Sequence, residues 1–207
     1  EHHELGLNSS DSFDLPNLES STYSVSNSEL KHIIEVANLA PSGGNVQPWI
    51  WVFDRRKGNL HLFHDLRRSF SLLDYKGTGS LISFGAALEN IRLICSQKGI
   101  KTEEIYHPDQ FNKELIASIR FVSKSGSPLP VEDFELVEGI KIRCTNRKNT
   151  SKKELSKEQL NRVLDYGNKN GFELNVVSDE SMLNKLVEVV GGMDRMRLFH
   201  EQGLADF

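Results

Sequence analysis

Residues 40–49, A-P-S-G-G-N-V-Q-P-W, constrain the fold more than any other stretch, because they stop one helix and start a buried strand within a short loop. Leu30, Ile33, Ile34 and Ala37 recur at helical spacing, and Ser26, Asn27 or Ser28 can cap the helix they define. That helix is expected to end at Ala40, since Pro41 disfavours helical geometry in the residue before it. Trp49-Ile50-Trp51-Val52-Phe53 then reads as a buried strand. Between the two, Gly43 and Gly44 let backbone amides approach a flat ligand with no Cβ in the way. Ser42, Asn45 and Gln47 offer donors and acceptors at its edge. The same residues also suit a plain helix-to-strand turn in which the amides satisfy local backbone, and spacing alone leaves both readings open.

A second cluster, Arg143-Cys144-Thr145-Asn146-Arg147, follows the apolar pair Ile140 and Ile142. Guanidinium forks match phosphate oxygens two at a time and keep their charge, and a Thr hydroxyl adds a neutral donor between them. Taken alone, the run also reads as solvated surface, with Lys148, Lys152 and Lys153 downstream.

Together the two stretches resemble the nitroreductase-like flavoproteins, which bind FMN between two subunits or two pseudo-subunits. Residues 41–49 resemble that family's P-S-x-x-N-x-Q-P-W loop, and residues 143–147 its R-R-S-x-R element, with Cys144 departing from the second arginine. The resemblance assigns cofactor binding to Pro41, Ser42, Gly43, Asn45 and Gln47 on the loop. It assigns Arg143, Thr145, Asn146 and Arg147 to the cofactor as well, with Arg143, Thr145 and Arg147 on the phosphate. No catalytic side chain and no metal is implied. The loop precedes the Arg element here, the inverse of ordinary nitroreductases, which resembles the Acg-like and ThiF-fused branch with two halves in one chain.

The resemblance implies an α+β fold, a mixed, mostly antiparallel sheet flanked by helices, in pseudo-dimeric halves. The first half would span about 28–125 and an incomplete second half about 131–207, after an arm or linker at 1–27. The implied activity is electron transfer from NAD(P)H through FMN to a small oxidant such as a nitroaromatic or quinone, in a homodimer. An alternative is a catalytically silent flavin-binding or partner-binding module, alone or beside a ThiF/E1-like adenylating domain.

Composition agrees with a folded chain of this kind. At 207 residues it can bury a core as one domain or two small halves, and 38% apolar with 26% charged residues excludes the compositions of disorder and fibres. A net charge of -4 argues against nucleic acid as the main partner. No stretch approaches the ~20 apolar residues of a membrane span, and no leader opens the chain, so cytoplasmic residence is expected.

Elsewhere, residues 60–64 read as a strand after a turn at Gly58 and Asn59. His61 and His64 fall on its opposite faces, which disfavours a shared metal. Arg67-Arg68-Ser69 reads as surface loop, because Ser71 stands where a phosphate motif would need its last arginine. Residues 81–97 form the strongest expected helix, with Leu81, Phe84, Leu88, Ile91 and Cys95 as its stripe, a thin face at Gly85-Ala86-Ala87 and a stop at Gly99. A strand at 116–122 leads to a linker at 126–130. Ser156 and Gln159 form a capping-box pattern for a helix to Gly167. A strand at 173–177 and a helix capped by Asp179, with Leu183, Leu186, Val187 and Val190 on one face, complete the chain; Gly191-Gly192 is expected to break or end that helix. Cys95 reads as core. The sequons at Asn8 and Asn149 read as chance, and His2-His3 as a solvated tail.

Overall fold

In the computed structural model, which describes residues 12–69, 71–72, 74–127, 131–148, 154–169 and 171–205, helix α1 (Asn27–Ala37) starts at Ser26. The Ser26 hydroxyl accepts from Glu29 N while the Glu29 carboxylate accepts from Ser26 N, so two donors left over by the first turn are satisfied reciprocally. Leu30, Ile33, Ile34, Val36 and Ala37 are buried. The helix ends at Ala37, short of the expected Ala40, because Leu39 N and Ala40 N turn to the nearer carbonyls of Val36 and Ala37.

Strands β1 (Trp49–Asp54), β2 (Asn59–His64), β3 (Ile100–Tyr106) and β4 (Leu115–Lys124) form an antiparallel sheet in the order β1-β2-β4-β3, leaving β1 and β3 at its edges. The β1–β2 hairpin pairs Trp49 with His64 through Asp54 with Asn59. Its turn is held by Asp54 Oδ1, which accepts from Arg56 N and Lys57 N, and by Gly58 at φ 72°. Helix α2 (Thr78–Gln97) ends before Gly99, whose φ of 68° provides the left-handed turn that β-carbons resist. Phe84, Leu88, Ile91 and Cys95 of α2 are buried, but Leu81 is 48% exposed and stands outside the stripe expected for it.

Both helices pack on one face of the sheet. Trp49, Trp51, Leu60, Leu62, Ile119 and Phe121 share a core with Ile33, Phe84, Leu88 and Ile91. Helix α3 (Val131–Ile142) adds Val137 and Ile140 to that core. The chain accordingly divides into the units Glu1–Arg143 and Cys144–Phe207, and the helix that comes after the expected linker belongs with the first unit. Residues 128–130 of that linker lie outside the described residues.

The other face carries Val52, Phe63 and Leu115, against which Phe13 and Leu15 pack. The Phe13 and Phe63 rings stand 4.7 Å apart. Further along, Asn59 Nδ2 donates to Glu19 O, Ser21 Oγ donates to Asn59 Oδ1, and Thr22 N and Tyr23 N both donate to Phe121 O. The described part of the arm is therefore bonded along the sheet rather than loosely docked, because an apolar second face needs cover. Residues 1–11 lie outside the described residues, as do Asn149-Thr150-Ser151.

In the second unit, α4 (Lys157–Lys169) opens on the expected capping box, Gln159 N donating to Ser156 Oγ and Ser156 N to Gln159 Oε1. It runs past Gly167. No strand forms at 173–177, since a strand needs a ladder partner and this unit's described elements are helices. Asp179 caps α5 (Glu180–Phe199) by accepting from Met182 N at 2.8 Å. The helix continues through Gly191-Gly192, for glycine weakens a helix by only about 1 kcal/mol when no proline comes next. Helix α6 (Glu201–Ala205) is the last element. No side chain of α5 is buried, and Leu183, Leu186, Val187 and Val190 are 42% to 69% exposed.

Candidate ligand loop

The segment between α1 and β1 begins at Asn38. Its Oδ1 accepts from Trp49 Nε1 at 2.8 Å and Trp51 Nε1 at 3.0 Å, tying two alternate residues of β1 to the end of α1. Its main-chain oxygen accepts from Gln47 Nε2 at 3.3 Å. Pro41 is exposed and Ser42 half-buried, and Ser42 Oγ accepts from Gln47 N at 3.0 Å, closing the loop on itself. Gly43–Asn45 make one short 3-10 turn, with Gly44 at φ 59° and Asn45 at φ 58°; Gln47 is at φ 48°. The direction in which Gly43 would carry a Cβ is open, with no atom within 4 Å.

Arg143, just past α3, reaches this loop: its Nη2 donates to Leu39 O at 3.2 Å. Of the nine residues expected at a site, the first unit thus brings together Pro41, Ser42, Gly43, Asn45, Gln47 and Arg143. Thr145, Asn146 and Arg147 belong to the second unit, where they are exposed and Asn146 Oδ1 accepts from Lys148 N at 3.0 Å. Sequence reasoning missed Asn38, whose only signal was an amide at a helix end ahead of two tryptophans spaced by two.

Beyond the loop, Asp65 N donates to Pro48 O, and the Asp65 carboxylate pairs with Arg67 at 3.1 Å and Arg68 at 3.6 Å. Both arginines are exposed, so Arg67-Arg68-Ser69 is the surface loop expected of it. His64 is half-buried, 2.6 Å from Ser69 Oγ and edge-on to Phe84. Burial pushes its pKa down, against the pull of Asp74, Glu114 and Asp65. Among the described residues no group of three or more His, Cys, Asp or Glu could hold a metal, and no helix is long and apolar enough to cross a membrane. Cys95 is buried and Cys144 exposed, both as free thiols.

The fold is α+β, an antiparallel four-stranded sheet with helices. No family model matches the chain. It is similar to "Putative NAD(P)H nitroreductase acg" of Mycobacterium tuberculosis, 29% identical over 119 residues, 57% of this chain and 34% of that protein. A further protein of that organism, Rv3127, is 29% identical over 94 residues, 44% of this chain and 27% of the relative. The chain thus spans about a third or less of the length of these relatives. Among solved structures, a "putative nitroreductase in complex with fmn" from Desulfovibrio desulfuricans superposes with a TM-score of 0.41 at 18% identity, covering 56% of this chain and 87% of that one. A nitroreductase family protein from Streptococcus pneumoniae gives 0.42 at 15% identity, covering 54% and 87%.

Proposed function

We propose that this chain binds FMN and is part of an oxidoreductase that passes electrons from NAD(P)H to a small oxidant such as a nitroaromatic or quinone. The observation that carries the reading is the bond from Arg143 Nη2 to Leu39 O, which joins the first residue of the basic cluster to the glycine loop across 104 positions of sequence. The named activity of the mycobacterial relative acg supports it.

The residues present fit the cofactor. The open side of Gly43 leaves room for a flat ring against backbone. Ser42, Gly43, Asn45 and Gln47 would meet the ring or ribityl chain, Arg143, Thr145 and Arg147 would hold the phosphate, where arginine forks are suited to paired oxygens, and Pro41 and Asn146 would complete the cofactor-binding set. FMN would supply the electron-transfer chemistry; the chain's own residues bind, orient and shield. The chain would carry one half of a two-half protein, about 28–125, and part of a second, about 131–207, whose first helix, α3, packs back on the core of the first half. It works as a homodimer, a reading favoured by the exposed apolar side chains of α5, and its place in the cytoplasm belongs to the same proposal.

The test is a fluorescence titration of the purified chain with FMN. Arg143→Ala is expected to weaken binding by roughly 1.5 to 3 kcal/mol, the loss of a charged hydrogen bond. Unchanged affinity in that variant overturns the phosphate assignment, and a wild-type chain that binds no FMN overturns the reading as a whole.

A further inference from the structure

Asn38 has three groups engaged at once. Its N–H donates to Ile34 O, closing the last turn of α1. Its Oδ1 receives both indoles of the chain, Trp49 and Trp51, which are 7% and 2% exposed. Its main-chain oxygen receives Gln47 Nε2. Buried indole N–H groups require an acceptor, so the position of the Asn38 carboxamide is dictated by β1 and not by the helix alone.

The loop after it holds two non-glycine residues, Asn45 and Gln47, at positive φ. Such backbone persists only where its surroundings over-determine it. For Gln47 those surroundings are two bonds, its N–H to Ser42 Oγ and its side-chain amide to Asn38 O. With one Nε2 hydrogen committed in this way, the carboxamide is held in one orientation, and its carbonyl Oε1 and second N–H are left for a ligand.

We propose that Asn38 is a positioning residue for the ligand loop: its carboxamide oxygen anchors the end of α1 to β1, and its main-chain oxygen fixes the orientation of the Gln47 carboxamide. Asn38 itself touches no ligand. The identity of the ligand rests on the FMN reading above, whereas the clamp on the loop does not.

The experiment compares Asn38→Leu, Asn38→Asp and Gln47→Glu in the full chain by residue-resolved amide hydrogen exchange, tryptophan emission and FMN titration. Asn38→Leu keeps the branched outline and removes the acceptor. It should shift the emission, speed exchange at residues 42–47 at least tenfold relative to the sheet, and weaken FMN at least tenfold. Asn38→Asp keeps an acceptor and should restore wild-type emission and exchange. Gln47→Glu removes the donor to Asn38 O and sets a carboxylate there; it should speed loop exchange while leaving the emission unchanged, and because Gln47 would itself meet the ligand, loop exchange and not FMN affinity is its readout. A purely structural Asn38 would instead raise exchange everywhere in step with lost global stability, and that result overturns the proposal. So does an Asn38→Leu chain whose loop exchange stays within twofold of wild type. Should Asn38→Leu fail to fold, Gln47→Glu decides alone, unchanged loop exchange overturning the proposal. A wild-type chain that binds no FMN sinks the functional reading, and loop exchange then judges Asn38 without it.

Discussion

His61 shows how one side chain can set the acid limit of a domain. It is 1% exposed on the outer sheet face, paired in register with Val52 of β1 and Ser118 of β4. Nδ1 lies 2.7 Å from Ser118 Oγ, and Nε2 is buried with no hydrogen-bond partner among the described residues. Burial pushes its pKa from 6.5 to about 4, helped by Lys57 and opposed by Asp54. The unfolded chain therefore binds a proton near pH 6.5 that the folded chain refuses until about pH 4. Between those values the unfolded state holds more protons, and stability falls as pH falls, by up to about 3 kcal/mol. Urea unfolding across this window should show that slope, and His61→Gln should flatten it; an unaltered slope would exclude His61 as its origin. Glu29 acts lower. Lys124 and Ser26 hold its pKa down at about 2 from 4.5, so what it contributes is present above pH 4.5 and is lost as pH drops toward 2.

Among the elements, α1 depends on its cap. Ser26→Ala removes the acceptor for Glu29 N and should cost about 1 kcal/mol in the unfolding midpoint, read by denaturant titration; a change below a few tenths would mean that packing alone holds the first turn. That cap was legible in sequence, as were the β1–β2 hairpin and the end of α2 before Gly99, because each is written in local residue types; the start of α2 at Thr78, ahead of the expected Leu81, was not. Strand β3 was not legible. Lys101, Glu103 and Glu104 interrupt its alternation, and an edge strand is stabilised by its neighbour more than by its own composition. The reverse error occurred at 173–177, where β-prone residues had no ladder to join. Within the site, the loop was legible from its density of Gly, Pro and amides. Asn38 was not, because its role depends on partners 11 and 13 residues away whose meeting only the hairpin brings about.

For the molecule as a whole, the two units differ in what holds them. The first has a core into which α1, α2, α3 and the sheet all contribute. In the second, only Gly167 and Gly203 are buried among the described helix residues, so α4 and α5 rest on local helix stability. Isolated helices of this length are marginal in water. Native-state hydrogen exchange should therefore find amides of α2 and β4 protected near the global limit and those of α5 exchanging orders of magnitude faster at low protein concentration; equal protection would show that α5 has a partner there. The sheet's two margins are also unlike. That of β3 is guarded by Lys101, Glu103 and Glu104, whereas that of β1 reads W-I-W-V-F before its first charge at Asp54. Unguarded margins adhere to one another. Among the described strands only that margin is bare, so adhesion between two copies of the sheet would be self-limiting: joined there, they would turn both charged borders outward and leave a third copy no bare margin to add to.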